Sequence, residues 1–587
     1  MRILFFAPHS ALWVHAFPEA LVAEALQQGG HEIVYVTCGR LFAAHCVAMN
    51  AAGVRIDAAD ADKQKVCDRC DAHKRLIRNK FGFQGYDLAD KVTPEDRRTA
   101  RQLAVEVSRD GFLDFEMGGI AIGRIALYEF LLNRKKSSLD FDDLEWSHFR
   151  QYLENSLLCF FGARRVLDAE RPQRLVVYNS LYSVNRVMCE LAEARGIPTY
   201  FLHAGHNLSN RLQTLLVGRR NGFEYYRYMI AAWPEFKDRP CDAALMHRIG
   251  DHFMVLFRGQ SVFGYSAASE ALTQSIRQRF SVAAGQRIVV ATMSSYDERF
   301  AAEAVGVITV THDLPFPRQV DWINALKDYV VGRPDLFLIV RVHPREFPNR
   351  REQVKSEHAR FLEAALTDLP ENVAVNWPTD NISLYDLVNE TSVFLNAWSA
   401  VGKEMSLLGV PVVIHAPELV AYPADLNYCA TTREGYFRQI ERALDEGWSV
   451  ERSRMTFRWL AMEYGYGLID IGDGYRQSEF PSRSFVQRAT RRLLRIFDPL
   501  YVARRDCARR PDHLAAATTI NSIFENLHHT PLSVEVPGTR ASIEEETRAL
   551  RIELGRIAGM ISDVGAPAGI PLAKDRLTAF VDKGVSR

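Results

Sequence analysis

The sequence has no excess charge, no long apolar run and few cysteines, and each absence removes a class of protein. Lys plus Arg and Asp plus Glu both number 72 in 587 residues, so no global charge argues for a nucleic-acid partner. No stretch reaches the roughly 18 uninterrupted apolar residues that a membrane span needs. The start, MRILFFAPHS, carries one basic residue, and Pro8-His9-Ser10 break its apolar run too early for a signal peptide. Nine cysteines do not make a disulfide scaffold in a chain of this size, and a reducing cytoplasm is the expected setting. What is present is ordinary: 47% hydrophobic and 25% charged residues, as in soluble proteins with substantial cores. The length suits roughly two to four domains.

The most informative stretch runs from Leu336 to His415. LFLIVRV (336–342) is apolar and β-branched, follows Pro334 and ends at His343-Pro344-Arg345. Such a run reads as a strand buried on both faces of a parallel sheet. Ser383–Glu390 reads as a short helix and Ser392–Asn396 as the next strand. A corner at Ala397-Trp398-Ser399 feeds a helix from about Ala400 to Leu408. Gly409 stands at its C′ position, and Pro411-Val412-Val413-Ile414 starts another strand. The strand ends therefore present His343, Ser399 and, one helical turn further on, Glu404. In open α/β sheets ligands bind at the carboxyl ends of strands, and helix N-termini there attract phosphate. Ser399 can cap the helix and donate to a phosphate, His343 and Arg345 arrive from the neighbouring strand, and Glu404 can accept from a ribose diol. The structural alternative pairs Glu404 with Lys403 or Arg345 on a surface.

The spacing S-x4-E-x4-G-x-P-V-V (Ser399, Glu404, Gly409, Pro411, Val412, Val413) resembles the donor-nucleotide motif of GT-B glycosyltransferases. VRVHPRE resembles the His-Pro motif of bacterial transferases that build capsule and lipopolysaccharide sugars. The resemblance implies an α/β, GT-B-like fold of two Rossmann-type domains facing a cleft, with a nucleotide-sugar donor. It implies donor contacts from His343, Pro344, Arg345, Ser399, Lys403 and Glu404, and no catalytic metal. CMP-activated acidic sugars and UDP or GDP donors all fit it.

The chain also begins like a Rossmann domain. Ile3–Ala7 reads as a strand, Phe17–Gln27 as a helix ended by Gly29-Gly30, and Glu32–Thr37 as a second strand. His9, His15 and Glu19 lie on or just after the first strand-to-helix loop and are candidate bases for an acceptor hydroxyl. Their alternative is helix capping and surface polarity. Cys38, Cys46, Cys67 and Cys70 are spaced C-x7-C-x20-C-x2-C, and a C-x2-C in a charged stretch suggests a structural zinc or iron–sulfur site. The first pair lacks knuckle spacing, and the plain alternative is two core thiols and two incidental exposed ones.

Residues from about 60 to 170 read as a helical insertion. The strand–helix rhythm resumes with Arg174–Tyr178, Ser183–Arg195 and Pro198–Leu202. His203-Ala204-Gly205-His206-Asn207 then follows at a strand end, placing His203 and His206 as acceptor-binding or catalytic candidates. A linking helix is expected over Ser266–Phe280. After the strand Arg287–Ala291 comes a hydroxyl-rich loop, with Ser294 and Ser295 as further donor contacts. Gln319–Val331 is a crossover helix. The expected domains are 1–265, 266–435, a helical region 436–530 and a linker with terminal helix 531–587.

Ser484–Phe497 reads as a basic amphipathic helix. Nine arginines lie between Arg483 and Arg510 against Asp498 and Asp506, a pattern that suits an anionic membrane surface or a core helix with a solvated face. Ser542-Ile543-Glu544-Glu545 is a capping box, and Ile543, Leu550, Leu554, Ile557 and Ile561 keep the spacing of a short coiled coil, a docking or oligomer helix. Apart from the two Rossmann halves there is no internal repeat. The expectation is a cytoplasmic GT-B glycosyltransferase, peripheral on the inner membrane, extending a glycan or lipid-linked glycan of a surface polysaccharide. The alternatives are a teichoic-type polyol-phosphate transferase, a nucleotide-sugar 2-epimerase and a non-catalytic GT-B scaffold.

Overall fold

The computed structural model describes residues 1–259, 264–265, 274–309, 314–349, 353–475, 498–534, 541–561 and 572–582. The first domain contributes β1 (Arg2–Phe6), β2 (Glu32–Val36), β3 (Arg174–Tyr178), β4 (Thr199–Ala204) and β5 (Thr214–Arg219). The second contributes β6 (Arg287–Thr292), β7 (Leu336–Arg341), β8 (Val373–Asn376), β9 (Thr391–Asn396), β10 (Val412–Ile414) and β11 (Tyr428–Cys429). One more strand, β12 (Ile469–Asp470), returns to the first domain. The sheet orders are β12-β5-β4-β3-β1-β2 and β11-β10-β9-β6-β7-β8. The second sheet is parallel throughout, whereas the first turns antiparallel at β4–β5 and β5–β12. Two Rossmann-type sheets facing one cleft, joined by a segment that crosses back, make the GT-B-like fold.

The strands are placed by what they bury. In β1, Ile3 and Phe5 face the helix Trp13–Gln28, while Leu4 and Phe6 face the helices Asp143–Glu170 and Ser183–Glu193, as two-residue alternation requires. Every residue of β7 is buried, which is why it reads as one unbroken apolar run. Between β2 and β3 the larger helices are Asp60–Phe81, Pro94–Glu106, Leu127–Arg134 and Asp143–Glu170. Capping boxes Thr93/Asp96 and Asp142/Glu145 start two of them.

The return begins with the helix Val450–Ala461, which runs into a π-helical turn at Met462–Tyr466. β12 then pairs with β5, Ile469 opposite Leu215. The helix Ala517–Glu525 lies against Trp13–Gln28, where the Asn521 amide donates to the Ala25 carbonyl (3.1 Å).

Three expectations about the second half need correction or fall outside view. The capping box at Ser542 is present, but the seam behind it is spent inside the chain. Leu550, Leu554 and Ile557 are fully buried against the helices Ala243–Phe257 and Ala573–Asp582, so that face is not a surface for oligomerisation. The basic segment Ser484–Phe497 and most of the expected helix Ser266–Phe280 lie outside the described residues; Ile276–Arg279 is a helical turn. Of the arginines that follow the basic segment, Arg504, Arg505 and Arg510 have carboxylate partners in Asp498, Asp506 and Glu24. Among the described residues no helix is long and apolar enough to cross a membrane.

Candidate functional site

A cavity of about 340 Å³ opens where the C-terminal edges of the two sheets meet. His206, Leu208 and Arg211, from the loop after β4, form one wall with His252 and Leu256 of the helix Ala243–Phe257. The opposite wall comes from the ends of β6, β7 and β9 and includes Thr292, Arg341, His343, Pro344, Tyr385, Ser399, Lys403 and Glu404. Tyr464, on the π turn, also lines it.

The second-domain wall carries a buried cation, an imidazole and a carboxylate, each fixed by its neighbours. β7 ends at Arg341, whose guanidinium donates to Asn376 Oδ1 and to the Ile382 carbonyl (3.0 Å). Burial lowers its pKa to about 10, which still leaves it cationic at neutral pH. Pro344 then opens a tight turn with His343 as its cap, and His343 Nδ1 accepts the Arg345 backbone N–H (3.2 Å). Burial draws this imidazole down to about 4, so it is neutral, and the bond at Nδ1 puts its single hydrogen on Nε2. Glu404 accepts from the Tyr385 hydroxyl (3.0 Å), and burial raises its pKa. The Ser399 hydroxyl donates to Asn396 Oδ1 (2.8 Å), and Ala400 is the N-cap of the helix Val401–Leu407. Gly409 follows that helix at φ 78°, the left-handed backbone a C′ glycine allows.

The first-domain wall depends on one close approach. A Cβ at Gly205 would lie 2.0 Å from Thr214 Oγ1, so His203-Ala204-Gly205-His206 can fold against β5 only with glycine there. That brings His206 to the cleft. Its Nδ1 meets the Tyr226 hydroxyl and lies 3.5 Å from Glu463 Oε1. The Tyr226 hydroxyl donates to Glu463 Oε1 (3.1 Å), which leaves its oxygen to accept from His206 Nδ1–H and leaves His206 Nε2 with a free lone pair. Glu463 also holds Lys403 Nζ at 2.5 and 2.6 Å and accepts from Trp459 Nε1 (3.0 Å). Burial pushes the Glu463 carboxyl up, but the charge of Lys403 and the bond to His206 outweigh it and hold the pKa at about 2. π-helical turns often occur at functional sites, and this one carries the carboxylate that joins the two walls.

Of the residues singled out in the sequence, the structure brings His206, His343, Pro344, Ser399, Lys403 and Glu404 to this cleft and leaves the others outside its lining. The helix starts at Trp13, four residues before the expected Phe17, so His15 as well as Glu19 lies inside it, just after the loop. Burial draws His9, His15 and His203 to about 3 and raises Glu19 well above the carboxylate range. The Ser294 hydroxyl accepts the Trp398 N–H (3.0 Å), and Ser295 donates to Glu298 Oε2 (2.6 Å); both are buried. Arg345 does not line the cleft itself: its guanidinium is held by buried Asp297 (2.9–3.2 Å) and donates to Tyr265 (3.0 Å), which does line it.

The four cysteines line one small cavity of about 20 Å³. They do not fit a tetrahedral metal site. Cys67 and Cys70 sit within the helix Asp60–Phe81, not on a knuckle, and Cys67 packs with Ala48, Met49 and Val66. Cys70 Sγ accepts the Ala11 N–H (3.1 Å). Burial pushes the Cys46 thiol up to about 11 and Cys70 to about 12 in the metal-free chain. Among the described residues no three His, Cys, Asp or Glu side chains are placed to hold a metal ion.

Sequence reasoning missed Arg211, His252, Arg341, Tyr385, Glu463 and Tyr464. Arg341 had a readable signal, a cation at the last position of a wholly apolar strand. Glu463 had none, since its partner lies 60 residues away.

No protein-family model and no curated protein matches the chain. Among solved structures, UDP-GlcNAc 2-epimerase from Neisseria meningitidis is 10% identical, covering 79% of this chain and 98% of its own, with a TM-score of 0.26. The enzyme of the same name from Methanocaldococcus jannaschii is 12% identical over 79% of this chain and 100% of its own, at 0.26. The spinosyn rhamnosyltransferase SpnG is 12% identical over 79% and 96%, at 0.25. Scores of this size carry no functional argument, so any function has to be argued from the chain's own residues.

Proposed function

We propose that the chain is a glycosyltransferase that moves a sugar from a nucleotide-sugar donor to a glycan hydroxyl. The observation that carries this is the division of labour across one cleft. The second-domain wall offers Arg341 and His343 Nε2–H to a phosphate, with Glu404 beside them as an acceptor for a ribose diol. The first-domain wall offers His206, whose Nε2 is left unprotonated by Tyr226 and Glu463. In the reaction His206 Nε2 takes the acceptor hydroxyl's proton and the oxygen bonds to the anomeric carbon. The bond from that carbon to the phosphate oxygen breaks, and the charge gathering on the phosphate meets Arg341 and His343. Resemblance of VRVHPRE to surface-polysaccharide transferases supports a bacterial surface glycan as the acceptor.

The test is a thermal-shift screen of the purified chain against CMP, UDP, GDP and CDP-glycerol, followed by transfer assays with sugars carried on the stabilising nucleotide. A ligand at a hundred times its Kd stabilises by about 2.7 kcal/mol. Glu404→Ala should abolish most of that shift. Stabilisation by CDP-glycerol alone would make the chain a polyol-phosphate transferase. Release of an epimerised sugar nucleotide without transfer would make it an epimerase, and no stabilisation at all would leave a scaffold.

A further inference from the structure

The cleft holds a third histidine that the proposed chemistry does not use. His252 lies on the helix Ala243–Phe257, lines the cavity and is 4% exposed. Its Nδ1 accepts the Leu208 backbone N–H (3.0 Å), so its hydrogen lies on Nε2. Nε2 is buried and has no hydrogen-bond partner among the described residues. The rings of Tyr464 and Phe253, 5.0 and 5.3 Å away, hold the imidazole in place. A buried N–H donor without a partner is costly, and natural proteins keep one chiefly where a ligand or water completes it.

The same device appears on the facing wall. His343 also accepts a backbone N–H at Nδ1 and also carries its hydrogen on Nε2. We infer that His252 Nε2–H is a hydrogen-bond donor to a phosphoryl oxygen of the bound ligand, gripping it from the first domain as His343 does from the second. Arg211 and Arg341 around the cavity favour an anionic group at that position over a sugar hydroxyl. Burial, which draws His252 to about 3, keeps it a neutral donor at every pH where the chain would work. The inference rests on the nucleotide-sugar reading of the cleft.

Two variants separate the donor from its structural role. His252→Asn keeps an oxygen at the place of Nδ1 for the Leu208 N–H and removes the Nε2 donor. His252→Gln keeps an N–H at the place of Nε2. With inorganic pyrophosphate and the nucleoside diphosphates UDP and GDP as probes, His252→Asn should weaken binding about 10- to 100-fold, the size of a lost bond to a charged group. His252→Gln should retain most of it. In the full chain labelled with 15N-histidine, the His252 Nε2–H resonance should be present without ligand and move on adding pyrophosphate. Equal affinity of His252→Asn and wild type, or a hydrogen found on Nδ1, overturns the inference while leaving the glycosyltransferase reading standing. Failure of wild type to bind any of these three probes or CMP overturns both.

Discussion

The bond between Lys403 and Glu463 gives the sharpest test of how the cleft is assembled. The two side chains are 8% and 1% exposed, and the pair ties the helix Val401–Leu407 to the π turn of the returning segment. Glu463 is held at about 2 against an ordinary 4.5, a difference that corresponds to about 3 kcal/mol of stabilisation at neutral pH. That matches the roughly 3–5 kcal/mol lost when one partner of a buried pair is removed. Because the folded-state pKa is the lower one, the stabilisation is complete above about pH 4.5 and is lost as the pH falls through about 2. Glu463→Gln and Lys403→Met should therefore each cost about 3 kcal/mol at pH 7. The double change Lys403→Met with Glu463→Gln should cost much less than their sum, since together they leave no buried charge. Hydrogen exchange over residues 450–470 is the suitable assay, because a two-domain chain need not unfold in one step. Strictly additive losses, or single losses below about 1 kcal/mol, would show that the pair is not what joins the walls.

Other residues separate along similar lines. His206→Ala should cut transfer by about 10²- to 10⁴-fold with nucleotide affinity unchanged, as loss of a base does, while His343→Ala should cut it by about 10²-fold as a lost oxyanion donor does. If both variants lose nucleotide affinity equally, the division into two walls is wrong. Arg345→Met should lower stability by about 3 kcal/mol by stranding buried Asp297. A drop in nucleotide affinity as large as that of Glu404→Ala, with stability intact, would return Arg345 to the donor site. At pH 8 only about a thousandth of Cys46 and a ten-thousandth of Cys70 is thiolate, from their values of about 11 and 12. A disulfide reagent should reach both slowly in the native chain and quickly in denaturant; rapid native reaction would mean that the helix Asp60–Phe81 does not cover them.

The second sheet was legible because each signal in it is local. β7 is buried on both faces and reads as an unbroken apolar run, and Gly409 marks a helix end because the backbone there needs a positive φ. The cleft was half legible for the same reason: His343, Ser399 and Glu404 follow strand ends that the pattern identifies. Their partners were not, because charge–charge contacts leave no periodic trace. Arg345 looked like a phosphate ligand beside His343, yet the residue that claims it is Asp297, 48 positions earlier. Cys67 looked out of place among charges because one turn of a half-buried helix alternates solvent and core within three residues. Glu463 lies at the end of a helix whose own pattern gives no hint that it reaches the other domain.

The helical insertion has a similar long-range part in the second-domain wall of the cleft. Lys135 closes the helix Leu127–Arg134 in a left-handed conformation, and its Nζ donates to the carbonyls of Arg345 (2.6 Å) and Val354 (2.8 Å). Beside it Glu357 accepts from the Ser137 N–H (2.7 Å), the Ser138 hydroxyl (2.9 Å) and Lys136 Nζ (3.3 Å). These bonds fasten the segment that begins at His343-Pro344 to a loop of the first domain. The Arg345 backbone thus has its carbonyl bound to Lys135 and its N–H bound to His343 Nδ1, the bond that sets which nitrogen of His343 carries the hydrogen. A phosphate donor held this way needs no rearrangement when charge develops, which is where preorganised sites gain most over water. The insertion therefore belongs to the cleft through the backbone it supports, although none of its own side chains lines the cavity.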